Sequence, residues 1–333
     1  MKQEYIDYIN KLGQQNVPFL FVINYKGDEA IIKPLEEIND TEIKYDFNGI
    51  TNCVSMPVNK DDDIIWNIDM PTKESYAKGF NVVRSNIMAG NSYLVNYTCC
   101  VPVKTNMSME YIFNNSKAKY RILIKDKLVC FSPESFIKIN NRRIFSFPMK
   151  GTADATSPDA ESILLSDVKE SAEHATIVDL IRNDLSKVAT KVSVNKYRYI
   201  DYISNNTGKI IQTSSQISGL LPNDYRQHLG DIIDSQLPAG SITGAPKKKT
   251  VEIIAEAEDY KRGFYTGTMG ICANGNIDSA VMIRFIEKKK NGYVFKTGGG
   301  ITSKSDYNKE YNEIKQKIYN QTEKGKQATR ISS

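Results

Sequence analysis

Apolar and polar positions along this chain fall mostly into short runs of period two, interrupted by four stretches of period near 3.6. Between Arg121 and Phe147 the runs RILIKD, LVCFS, SFIKIN and RRIFSF follow one another, with a turn at Asn140-Asn141. They read as successive antiparallel strands. AVMIRFIEKKK and YVFKT, joined by Asn291-Gly292, predict a second hairpin, with Arg284 in mid-strand. Further strands are expected at PFLFVIN, SYLVNYT, KIIQTSSQIS and GTMGICA. The helical period marks residues 73–89, 161–188, 247–259 and 305–323. Hairpin-joined strands with helices inserted at intervals predict an α+β fold built on large antiparallel sheets, not a βαβ winding. No Gly/Pro/Ser-rich linker divides the chain. Residues 1–70 read as a short N-terminal lobe integrated with the main fold, 71–324 as the catalytic domain, and 325–333 as a frayed tail.

A chain of 333 residues can bury a sizeable core as one large domain or two smaller ones. Its net charge of +5 is mild; it suits a small anionic substrate and is too diffuse for nucleic acid. The lysine triplets at 247–249 and 288–290 lack the interleaved aromatics of a nucleic-acid surface. Five cysteines without a CxxC pair point to reduced thiols and a cytoplasmic location. PFLFVI is too short for a signal or a membrane span, so no membrane association is expected.

Several positions carry chemistry. In SFPMKGTADA an apolar strand runs into Pro148, and Lys150 stands at the tip of what reads as a tight loop, either solvated or aimed at a site. Glu134 follows Pro133 at a strand break, sixteen residues earlier. Helix 161–188 places Glu170 and Glu173 three apart on one face, and helix 305–323 repeats the spacing with Glu310 and Glu313. Such pairs are solvated helix acids or hard oxygen ligands for Mg²⁺, which shares its remaining positions with water and an anionic substrate. The segment LPAGSITGAPKKK is a tight connection or an anion cradle ahead of a helix. Gly298, Gly299 and Gly300 are expected at a strand end, baring amides to a carboxylate or forming a bulge. Arg284 needs a fixed anion, either a structural partner or a substrate carboxylate.

Taken together, GNSYLVNYT, FSPESF, PMKGT, AEHATIVDLIRND, PAGSITGAPK, GTMG, IRF, TGGGI and EYNE resemble, in order, the motifs of the chorismate-utilising enzymes. The resemblance covers roughly residues 75–320. It implies two large antiparallel sheets packed face to face with flanking helices, and Mg²⁺ holding the ring carboxylate of chorismate. It implies Glu173 and Glu313 as metal ligands supported by Glu170 and Glu310, and Arg284 on the enolpyruvyl carboxylate. Gly298, Gly299, Gly300, Thr152, Thr243 and Gly244 count among the substrate-binding positions.

Within the family, anthranilate, isochorismate and salicylate synthases typically carry Ala where this chain has Lys150. The branch that aminates chorismate at C4, aminodeoxychorismate synthase component I of the folate pathway, typically carries Lys. The resemblance therefore implies that Lys150 attacks C2 while Glu134 protonates the departing 4-hydroxyl. Attack requires a neutral amine, against an ordinary lysine pKa of about 10.4. Burial and a nearby Mg²⁺ are expected to lower that value. Leu94 stands where isochorismate-type members place a water-activating Lys, and Gln212 where many members have a His tied to pyruvate elimination. Ile271 and Ala239 are further departures. The nearest alternative is anthranilate synthase component I. With two histidines and no glutaminase-like Cys context, the chain is expected to receive ammonia from a separate glutamine amidotransferase subunit.

Overall fold

The computed structural model describes residues 1–53, 64–116, 118–205 and 208–319. The tail expected to fray therefore lies outside the described residues. Along the chain come α1 (Gln3–Gln14), β1 (Phe19–Ile23), β2 (Ala30–Pro34), β3 (Ile43–Phe47), β4 (Ile50–Thr51), β5 (Trp66–Ile68) and α2 (Lys73–Met88). Next are β6 (Leu94–Thr105), α3 (Met109–Asn115), β7 (Tyr120–Ile124), β8 (Leu128–Ser132), β9 (Ser135–Asn140) and β10 (Arg143–Ser146). Then follow β11 (Met149–Asp154), α4 (Ala160–Ser166), α5 (Val168–Leu185), β12 (Thr190–Asn205), β13 (Gly208–Leu220) and α6 (Leu229–Gln236). The last are β14 (Gly244–Ala245), α7 (Lys247–Ala257), β15 (Thr268–Ala273), β16 (Asn276–Val281), β17 (Phe285–Lys289), β18 (Gly292–Thr302) and α8 (Tyr307–Tyr319).

The chain divides into two compact units. The first comprises Met1–Glu37, Glu134–Lys248 and Arg262–Val281; the second comprises Ile38–Pro133, Lys249–Lys261 and Met282–Ser333. The first unit holds an antiparallel sheet in the order β11-β13-β10-β9-β16-β15-β1-β2, with β12 also on β13. β1 is hydrogen-bonded to β15 on one side and β2 on the other, and all five of its residues are buried. That is why FLFVI is a continuous apolar run rather than an alternating one. The second unit holds the antiparallel order β6-β18-β17-β8-β7-β3-β4, with β5 on β6. There β3 alternates buried and half-buried residues, as a strand with one covered face does. The fold is thus α+β, with two antiparallel sheets and helices.

The expected helix 161–188 is two helices, α4 and α5, parted at Asp167. The Asp167 carboxylate accepts the Glu170 amide at 2.9 Å and so caps a new helix start. The expected strand 280–290 is also broken. β16 ends at Val281, β17 starts at Phe285, and Arg284 lies between them at φ 56°, off the ladder. Among the described residues no helix is long and apolar enough to cross a membrane.

Candidate active site

In the first unit Lys150 belongs to strand β11, not to a loop tip. β11 pairs with β13 as Met149↔Ser214, Lys150↔Thr213 and Thr152↔Gln212, with a register shift between Lys150 and Thr152. Gly151 supplies that bulge at φ +66°. A Cβ there would come within 2.8 Å of Leu164 Cδ1 and 3.3 Å of Glu170 Oε2, so glycine is required both by conformation and by space. The strand entry is pinned on β13. The Ser215 amide donates to the Pro148 carbonyl at 3.0 Å, and the Thr213 hydroxyl donates to the Lys150 carbonyl.

So held, the Lys150 ammonium donates to Glu173 Oε2 at 3.0 Å; its side chain is 19% exposed and that of Glu173 5%. The inward stripe of α5 (Ile177 and Ile181 are buried) carries Glu173 into the interior, and Lys150 is the cation that a buried carboxylate there requires. Burial acts to lower the Lys150 pKa, but Glu173 first, then Glu170 and Glu134, outweigh it, and the net shift is upward. Burial thus acts in the expected direction, while the three carboxylates together favour the protonated amine. Beside it His174 is fully buried, shares a 2.6 Å hydrogen bond with Ser215 Oγ, and is pushed down to about 4 by burial, with Arg198 and Lys150 adding. It is neutral at physiological pH. Glu134 is half-buried at the break between β8 and β9, and its carbonyl accepts the Val281 amide at 3.2 Å.

Thr243 and Gly244 follow a 3₁₀ turn in the same unit. Thr243 is fully buried; its hydroxyl donates to the Ala239 carbonyl at 2.8 Å and its amide to the Gly240 carbonyl at 3.2 Å. The segment is thus a self-tied turn. Lys247, the first lysine of the triplet, is not solvated. It is half-buried, in an ion pair at 2.6 Å with Asp184, which is buried. Sequence reasoning passes over this pair because it weighs the KKK triplet only against a nucleic-acid surface. The available signal was the glycine-rich turn, which leaves its next side chain close to whatever the turn packs on.

In the second unit the glycines do not end a strand, as expected, but lie inside β18. They face β6 as Gly298↔Thr98, Gly299↔Tyr97 and Gly300↔Asn96. A Cβ on Gly298 would lie 2.4 Å from Thr98 Cγ2 and 2.5 Å from the Tyr97 carbonyl, so close strand packing alone requires this glycine. Arg284 is half-buried, and its carbonyl accepts the Phe131 amide at 3.1 Å. On α8 Glu310 is 3% exposed while Glu313 is exposed. That helix is anchored by Tyr307 and Tyr311, whose hydroxyls donate to the Lys73 and Pro71 carbonyls at 2.6 and 2.8 Å. Both rings pack on Tyr76, with centroids 5.9 and 5.5 Å away.

The four departures Leu94, Gln212, Ala239 and Ile271 are all buried. The Gln212 Nε2 has no hydrogen-bond partner among the described residues. Among the described residues no three His, Cys, Asp or Glu groups gather with metal-holding spacing. The donors present fit a hard cation in kind. Glu170 and Glu173 in the first unit are hard oxygen donors, and so, in the second, are Glu310 and Glu313.

The profile of the chorismate binding enzymes matches residues 28–323. A protein of Haemophilus influenzae called an uncharacterized PabA-like protein is 45% identical over 95% of this chain and 96% of its own length. An anthranilate synthase component 1 of Haloarcula marismortui is 34% identical, over 73% of this chain and 51% of that protein. The aminodeoxychorismate synthase component 1 of Escherichia coli is 28% identical over 76% of this chain and 58% of that protein. Among solved structures, anthranilate synthase component I from Streptococcus pneumoniae superposes with a TM-score of 0.67 at 25% identity, over 77% of this chain and 59% of that one.

Proposed function

The chain belongs to the chorismate binding enzyme family, and from that premise we propose that it aminates chorismate at C4, releasing water and 4-amino-4-deoxychorismate, the precursor of para-aminobenzoate for folate. The observation that carries this reading is the placing of Lys150. A strand bulge, the Ser215 amide and the Thr213 hydroxyl of β13 hold its strand so that it meets Glu173, within the charge field of Glu170 and Glu134. A solvated loop lysine has no such framework.

In the proposed course the Lys150 amine bonds to C2, both ring double bonds shift along the diene, and the C4–O bond breaks, the hydroxyl leaving as water with a proton from Glu134. Ammonia then bonds to C4, both double bonds return to their first positions, and the C2–N bond to Lys150 breaks. Lys150 must first give up the proton that its carboxylate neighbours stabilise. Glu173 and Glu313 are the proposed ligands of Mg²⁺, with Glu170 and Glu310 supporting them. When bound, Mg²⁺ supplies charge for the substrate carboxylate and draws the Glu173 charge away from Lys150. Arg284, the glycines at 298–300, Thr152, Thr243 and Gly244 are proposed to bind substrate. A separate glutamine amidotransferase subunit is the proposed ammonia source. His174 is committed to Ser215, and His228 lies near Asp224 and Asp231, so neither is coupled to a cysteine.

A second reading is anthranilate formation, favoured by the 34% identity to an anthranilate synthase component. It requires loss of the enolpyruvyl group as pyruvate. Kinetics of Lys150→Ala with chorismate, Mg²⁺ and ammonium test the first reading. Expected is a fall in kcat of at least about a hundredfold with KM little changed, because the missing group acts in bond making. Glutamine in place of ammonium should give no turnover with the isolated chain. Near-normal C4 amination by Lys150→Ala would end the nucleophile assignment.

A further inference from the structure

One carboxylate closes the loop that carries Thr243 and Gly244. Asp184, in the last turn of α5, is 4% exposed. Its Oδ2 lies 2.6 Å from Lys247 Nζ, and its Oδ1 accepts from Lys187 at 2.8 Å. Lys247 Nζ also donates to the Gln236 carbonyl at 3.1 Å, and Gln236 Nε2 donates to the Asp184 carbonyl at 3.0 Å. Gln236 and Lys247 flank the loop, and both are bound to Asp184, one through its backbone and the other through its side chain. Within the loop, Gly240 rides so close to α5 that a Cβ would fall 2.8 Å from Leu180 Cδ2. Beside the loop a cleft of about 20 Å³ is lined by Glu134, Asp184, Gln236, Gly240 and Ser241.

We propose that the Asp184–Lys247 pair is a positioning staple that fixes the Gly240–Gly244 segment against α5 and so sets where Thr243 and Gly244 meet the substrate. It rests on the reading that this segment binds chorismate. Asp184 stands eleven residues beyond Glu173, about 16 Å along the helix at 1.5 Å per residue, so it acts through the loop and not as a ligand. A buried ion pair is an inefficient way to stabilise a fold, because removing both charges from water offsets most of their attraction. Burial indeed works against the Lys247 ammonium, whose pKa is lowered even with Asp184 beside it. What the pair supplies is a unique register of loop on helix.

The test uses the full chain with Lys247→Met, Lys247→Arg and the double change Asp184→Asn/Lys247→Met, which leaves no lone buried charge. Three quantities are read: hydrogen exchange of the amides from 239 to 244, KM and kcat for chorismate with ammonium, and the unfolding midpoint. In the double variant the loop amides should exchange about tenfold faster and KM should rise about tenfold, with kcat within about threefold and a cooperative unfolding transition retained. Lys247→Arg should keep most of the wild-type KM. An unchanged KM in a folded double variant, or unchanged loop exchange, overturns the staple. If the wild-type chain itself does not turn over chorismate, the proposed function fails, and the exchange arm alone still upholds or sinks the staple.

Discussion

The two acidic pairs have the same spacing on their helices, yet the two units treat them in opposite ways. On α5 the later member, Glu173, is buried beneath Lys150 and the earlier, Glu170, is half-buried. On α8 the earlier member, Glu310, is buried and the later, Glu313, stays exposed. Spacing of three guarantees a shared face, but what packs on that face decides which acid goes inward. On α5 a strand bulge delivers a lysine to the second acid. On α8 a cluster of tyrosines anchors the first turn, and Glu310 is carried in with it. Removing charge from one pair should therefore not be equivalent to removing it from the other.

The largest effect expected is on turnover, and stability separates the pairs. Glu173→Gln and Glu313→Gln should each lower Mg²⁺-dependent turnover by about a thousandfold, since each removes a proposed ligand charge. Only Glu173→Gln takes from a half-buried ammonium the carboxylate it is hydrogen-bonded to, leaving Glu170 and Glu134 as its remaining counter-charges, so it should also cost about 2 kcal/mol in denaturant unfolding. Glu313→Gln should stay within about 0.5 kcal/mol of wild type. Equal destabilisation by both changes would erase the distinction between the units.

The glycines sharpen the same comparison at intermediate size. Gly298→Ala meets the Thr98 side chain and the Tyr97 backbone, and should cost about 1–3 kcal/mol by overpacking between two paired strands. Gly151→Ala should cost a similar amount, about 1–3 kcal/mol, from its positive φ and the Leu164 contact. It should in addition reduce turnover, because the bulge aims Lys150. Full activity in Gly151→Ala would show that the bulge is incidental. The smallest effect belongs to the break between α4 and α5. Asp167→Ala should cost about 1 kcal/mol, the loss of one helix cap, read as a shift in the unfolding midpoint.

The sheets were legible because period-two runs and hairpin turns are local. β7 to β10 appear where RILIKD, LVCFS, SFIKIN and RRIFSF stand. The turn between β9 and β10 is displaced by one residue, with positive φ at Asn141 and Arg142. What escaped was decided by tertiary context. TKVSVNKYRYIDYISN alternates only intermittently, because β12 shifts register against β13 three times. The helix break at Asp167 was legible in principle, as Asp-x-x-Glu ahead of a helical run, but a continuous period masked it. Arg284 reads as mid-strand because apolar residues continue on both sides, although β16 ends before it and β17 begins after it. The candidate residues themselves emerged from motif resemblance. Their electrostatics did not: that Lys150 is held protonated follows from Glu173, Glu170 and Glu134 meeting it in space.

The most direct test of C4 amination is the identity of the product made from chorismate, Mg²⁺ and ammonium, determined by mass. The account predicts 4-amino-4-deoxychorismate, with the enolpyruvyl group retained and no pyruvate released. Anthranilate with stoichiometric pyruvate would contradict it and transfer the chain to the second reading.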